Sequence, residues 1–175
     1  MPLLLLYRLV SQYAGDLAQA ERMLRCSRRT IGNNVLLASG PEDDARVFEL
    51  SPHDVQARAP RDGVLTTTNH FVHESMAARQ NGWVVPNSLN RFARLDALCG
   101  AARFNPELAA AVLRDSESPA DEGDPWSCLE NPGTIYSSVA EPSSGRLWLR
   151  TNDQPDRPFV ELTASWSTQA ALSAV

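Results

Sequence analysis

The run Thr66-Thr67-Thr68-Asn69-His70-Phe71 gathers side chains that could do chemistry. An Asn carboxamide carries two N–H donors and one carbonyl acceptor. Aimed at a developing oxyanion, Asn69 would stabilise charge as a fixed dipole. Asn69 could equally make local turn bonds at the end of a strand. His70 and His73, three residues apart, would share one face of a helix and could meet at a metal. Phe71-Val72 and an exit from a strand stand between them, and no nearby cysteine completes a ligand set. The pattern therefore predicts no metal, with His70 in a packing or capping role. His53 follows Pro52 in a turn and reads as solvated.

No convincing nucleophile accompanies this cluster. Cys26 lies among Arg25, Arg28 and Arg29, which favour a thiolate. It also falls at the end of a helical pattern, where an anion is disfavoured. Cys99 follows Leu95 and Leu98 and reads as a core thiol. Cys128 reads as packing. Arg91 could grip a carboxylate with two parallel hydrogen bonds or pair structurally, and Arg94 lies on the same predicted helix. The acidic stretch Asp115 to Asp124 lacks calcium-loop spacing. The sequence contains no nucleophile elbow, phosphate loop or dinucleotide fingerprint.

Short elements must position these residues. Leu3 to Arg25 has helical spacing broken at Gly15-Asp16, where Asp16 can cap a second helix. Val35 to Ser39, Arg46 to Leu50, Val55 to Ala59 and Val64 to Thr68 read as a meander of about four strands. The Thr-Asn-His cluster falls at its end. After Pro86, Asn87 or Ser88 can cap a helix running to about Ala101, with Leu89, Phe92, Leu95 and Leu98 on one face. Pro106 to Leu113 makes a shorter helix. Asp115 to Asp124 reads as a mobile loop. Thr134 to Val139, Arg146 to Arg150 and Phe159 to Leu162 read as strands, with a turn at Glu141 to Gly145. The prediction is one α+β domain over 1–164 and a frayed tail over 165–175.

Composition bounds the rest. The 175 residues carry a net charge of −5, with 43% hydrophobic residues. A chain this long buries roughly 70% of its unfolded surface. Nothing argues for nucleic acid or an anionic membrane as partner. All 16 basic residues are Arg, read as bacterial GC-rich coding. Three scattered cysteines point to a reducing cytoplasm rather than disulfides. Met1 to Leu6 is too short to span a bilayer and lacks signal-peptide flanks.

In their order, these segments resemble the C-terminal part of the acyl-coenzyme A:6-aminopenicillanic acid acyltransferase family. The pieces are Pro2-Leu3 through Arg8, Leu17-Ala18-Gln19-Ala20, Asn34 to Ala38, and Val47 to Pro52. Thr68-Asn69-His70-Phe71 is the most specific piece. Ser88 with Arg91 and Leu95, Thr134 to Ser137, and Leu147-Trp148-Leu149 complete the set. The resemblance implies an αββα sandwich of the N-terminal-nucleophile hydrolase type, here incomplete. It implies peptidase-like self-cleavage before a cysteine, whose α-amino group then activates its own thiol. That thiolate would attack an acyl-amide or acyl-thioester substrate, with Asn69 donating to the oxyanion. Thr68, His70 and Arg91 are expected to bind substrate or support the site. No cofactor is implied.

The family's nucleophile precedes the helix that opens this sequence. Cys26-Ser27-Arg28-Arg29-Thr30 lacks the strand pattern such a residue opens. The chain is therefore expected to be inactive alone. It would be completed by a separate nucleophile-bearing chain, assemble as a homo-oligomer, or be a truncated gene product.

Overall fold

The computed structural model describes residues 1–80, 86–100, 104–117, 123–153 and 156–162. The opening helical pattern resolves into α1 (Leu3–Tyr13) and α2 (Leu17–Cys26). Two carboxylates cap the start of α2. Asp16 Oδ1 accepts from the Gln19 amide at 2.5 Å, and Glu42 Oε2 accepts from the Leu17 amide at 2.9 Å. These satisfy amides that the first helical turn leaves without partners. At the other end of α2, the buried Arg29 guanidinium donates to the carbonyls of Leu24 and Ser27. It also reaches the Ser51 and Asp54 carbonyls, so one cation ties the helix end to the neighbouring strand turn.

Three antiparallel strands follow: β1 (Asn33–Ser39), β2 (Asp44–Leu50) and β3 (Val55–Arg58), in the spatial order 1-2-3. Alternation along a strand sends successive side chains to opposite faces. Phe48, Leu50 and Val55 join Leu3, Leu6, Val10, Ala20 and Leu24 in the main apolar core. Each fully buried Leu or Phe there contributes about 1.5–3 kcal/mol. Val47 and Glu49, both fully buried, point from the other face.

The predicted fourth strand, Val64 to Thr68, is not one. The segment makes an isolated bridge between Arg61 and Val64 and is then irregular through Thr68. Its alternating pattern signals extended backbone without a ladder. A one-turn helix, α3 (Glu74–Ala77), comes next.

The helix α4 (Pro86–Cys99) begins at Pro86 itself, so Ser88 lies inside it rather than capping it. Leu89 is 49% exposed and leaves the predicted apolar face. Helix α5 (Pro106–Leu113) is capped by Asn105, which accepts from the Leu108 amide at 2.7 Å. The start of the acidic stretch is not a free loop. Arg94 holds Asp115 through two nitrogens and Glu117 through one. A short 3-10 turn at Pro125–Ser127, which the sequence pattern did not signal, follows.

A second antiparallel sheet closes the order: β4 (Tyr136–Glu141), β5 (Arg146–Thr151) and β6 (Val160–Leu162). Helix α5 packs on β4. The two hairpins meet at their tips. A Cβ at Gly40 would lie 2.3 Å from the Pro142 carbonyl oxygen, so only glycine permits that approach. The predicted end of the α4 pattern at Ala101 and the predicted frayed tail lie outside the described residues.

Candidate active site

The Thr66 to His73 segment lies across the inner face of the first sheet and is secured by side chains. Asn34 on β1 and Glu49 on β2 are cross-strand partners. Asn34 Nδ2 donates to the Thr68 carbonyl at 2.9 Å and to the His70 carbonyl at 2.7 Å. Glu49 accepts from the Val72 amide at 2.9 Å and from the His73 amide at 3.0 Å. Arg58 on β3 donates to Glu49 at 2.6 Å and to the Thr66 carbonyl at 3.0 Å. The backbone groups of 66, 68, 70, 72 and 73 are held in this way, in place of a strand ladder.

Helix α4 holds the segment from another direction through Ser88. The Asn69 amide donates to Ser88 Oγ at 2.9 Å, and Thr68 Oγ1 donates to the Ser88 carbonyl at 3.0 Å. His70 Nδ1 lies 2.9 Å from Ser88 Oγ and 3.1 Å from Thr68 Oγ1. Its ring meets the edge of Phe92 at 5.4 Å between centroids. Burial holds the His70 imidazole below its ordinary pKa, which favours the neutral ring. A neutral His70 can give or take one hydrogen bond at Nδ1, and Ser88 serves either tautomer.

The geometry around Asn69 differs from that around its neighbours. The side chain is exposed. Its Oδ1 accepts from Arg91 Nη2 at 2.8 Å, while Arg91 Nη1 donates to the Trp126 carbonyl at 2.6 Å. A guanidinium only donates, so it selects the oxygen of the carboxamide and turns the NH₂ group away. Among the described residues, none accepts from Asn69 Nδ2. Burial lowers the Arg91 pKa from its ordinary value. The result is a positioned pair of N–H donors that no acceptor among the described residues occupies.

Asn69 borders two cavities. One, about 510 Å³, is lined by Asn33, Asn34, Phe71, Arg79 and Gln80 among others. The other, about 520 Å³, is lined by Arg91, Leu95, Leu113, Trp126 and Leu129 among others. No cysteine lines either. Cys26 is exposed, while Cys99 and Cys128 are buried. Burial raises the pKa of both buried thiols, which suppresses thiolate formation. Among the described residues, no cluster of three or more His, Cys, Asp or Glu could hold a metal. No helix among them is long and apolar enough to cross a membrane.

Thr68, Asn69, His70 and Arg91 are thus brought together, with Ser88 between them. Sequence reasoning missed Asn34, Glu49 and Arg58 as the parts that shape the segment. One signal was available. Glu49 interrupts Val47-Phe48-Leu50, and a carboxylate amid a strand's apolar residues must find donors or be expelled.

The fold and site define an α+β protein with a preorganised donor group beside paired cavities. The family model for acyl-coenzyme A:6-aminopenicillanic acid acyl-transferase matches residues 1–156, and the chain belongs to that family. No curated protein matches the sequence.

Proposed function

We propose that Asn69 stabilises the oxyanion of an acyl-transfer reaction, within an αββα fold of the N-terminal-nucleophile type. The supporting observation is the orientation of its carboxamide. Arg91 occupies Oδ1, and Nδ2 has no acceptor among the described residues. A preorganised donor costs no reorganisation when charge develops on the substrate oxygen. In this reading a terminal cysteine's α-amino group, ordinarily of pKa about 7.7–8.0, takes the thiol proton. The thiolate forms a carbon–sulfur bond to an amide or thioester carbonyl, and the former π electrons settle on oxygen beside Asn69. Collapse expels the amine or thiol, which leaves with the proton. Water or an amine then takes the acyl group.

The reading needs a nucleophile other than Cys26, Cys99 and Cys128. The test is turnover of chromogenic acyl-amides and acyl-thioesters, with mass-spectrometric mapping of the acyl adduct. The purified chain alone is expected to show no turnover. In the nucleophile-bearing form, Asn69→Leu should lower kcat by about 100- to 1,000-fold with little change in KM. An acyl adduct on Cys26, or an Asn69→Leu variant with full kcat, would overturn the proposal.

A second reading, in which this chain pairs with another that carries the nucleophile, is favoured by its sheet edges. The outer edges of β1 and β4 have no strand partner among the described residues. Leu36 and Tyr136 on those strands are exposed. Unpaired edges with apolar side chains invite association. A strictly monomeric species by light scattering at high concentration would count against it.

A further inference from the structure

Arg91 can orient the Asn69 carboxamide only if the guanidinium is itself held. Its second anchor, the Trp126 carbonyl, belongs to the 3-10 turn Pro125–Ser127. A single carboxylate shapes that turn. Asp124 Oδ1 accepts from the Trp126 amide at 3.1 Å, and Oδ2 accepts from the Ser127 hydroxyl at 3.0 Å. Ser127 is 1% exposed, and its Oγ also accepts from Asn90 Nδ2 at 3.0 Å. Asn90 and Arg91 are consecutive on α4, so the turn is attached to the helix at two neighbouring points. Burial lowers the Arg91 pKa, and the Asp124 carboxylate opposes that effect by favouring the cation.

We propose that Asp124 is a positioning residue for the oxyanion donor. It fixes the turn, the turn presents the Trp126 carbonyl, that carbonyl fixes Arg91, and Arg91 turns the Asn69 NH₂ group outward. A guanidinium bonded through two nitrogens in two directions is locked, and one that keeps a single bond can swing. The oxygen and NH₂ ends of a carboxamide have nearly the same shape. Released from Arg91, Asn69 can flip and present its carbonyl oxygen, which repels an oxyanion. The proposal rests on the acyl-transfer reading for the use made of Asn69, while the orientation of the carboxamide is measured without turnover.

The test is nitrogen–proton correlation NMR of the chain, reading the side-chain NH₂ pair of Asn69, assigned by its loss in Asn69→Asp. Asp124→Ala should move that pair toward its position in Arg91→Met. Ser127→Ala should move it the same way, and keeps the test decisive should Asp124→Ala fail to fold. A merely structural role would lower stability and leave the pair in place. Because Asp124 acts through Arg91, adding Asp124→Ala to Arg91→Met should move the pair no further. In the nucleophile-bearing form, Asp124→Ala should lower kcat by up to about 100-fold with KM nearly unchanged. A pair that neither single variant moves, a further move in the Arg91→Met background, or full kcat in Asp124→Ala would overturn the proposal. If Asn69→Leu itself retains full kcat, the oxyanion role falls, and the NMR result alone decides whether Asp124 orients the carboxamide. If Asn69→Leu loses kcat while the pair stays in place, only the role of Asp124 falls.

Discussion

Phe48 and Glu49 are adjacent on one strand and both fully buried, yet they do opposite jobs. Phe48 faces α1 and α2 and belongs to the apolar core. Glu49 faces the site segment and holds two backbone amides and one guanidinium. One face of the sheet is stabilised by the non-directional removal of surface from water. The other is stabilised by a few directional bonds, each of which fixes a position. The core face makes the sheet stable. The polar face uses that stability to shape Thr66 to His73, which has no ladder of its own.

The largest expected effects separate these two faces. Phe48→Ala should cost about 3–5 kcal/mol through lost burial and a cavity. Glu49→Ala should cost a similar amount, about 3–5 kcal/mol, because Arg58 loses its buried partner. Native-state hydrogen exchange distinguishes them. Glu49→Ala should expose the Val72 and His73 amides well below the global unfolding free energy, whereas Phe48→Ala should lower all protection together. Equal behaviour at those two amides would break the comparison. A double Glu49→Leu, Arg58→Leu variant should recover much of the stability and still lose the segment's shape.

Asn34→Ala is expected to act next in size. It removes the two bonds to the Thr68 and His70 carbonyls, at a cost of about 1–3 kcal/mol in chemical denaturation. In the nucleophile-bearing form it should lower kcat, since Asn69 sits between the two released carbonyls. Unchanged kcat would show that Ser88 and Arg91 suffice to place Asn69.

The smallest effect is the pH dependence of His70. Its pKa in the folded protein is depressed by burial, so the unfolded chain binds the proton more readily. The stabilising contribution of the neutral ring is present above the unfolded value of about 6.5. It is lost as pH falls from there toward the folded value. Wild type should lose more stability between pH 7 and pH 5 than His70→Gln. An equal loss would remove His70 titration from the account.

Much of this architecture was legible in the sequence. The break at Gly15-Asp16, the first hairpin and the helix from Pro106 follow from capping chemistry and periodicity, which are local. The Thr-Asn-His cluster stood out for the same reason. The extended pattern at Val64 to Thr68 misled because alternation reports backbone extension and does not say whether a neighbouring strand supplies the hydrogen bonds. Asn34, Glu49 and Arg58 stayed hidden as a set because their partners lie 8 to 36 residues away. No local rule links such distances. Asn87 and Ser88 both suit a helix cap after Pro86, and the Ser88 hydroxyl is instead spent on Asn69 and His70.

The grip on the segment's backbone also decides where the site is vulnerable. The shape of Thr68-Asn69-His70 is written at 34, 49, 58 and 88, outside the motif itself. Because Asn34, Glu49 and Arg58 hold the segment by its carbonyls and amides, a map of damaging substitutions should light up at those remote positions. The three motif residues could be left intact in a protein that has lost the site.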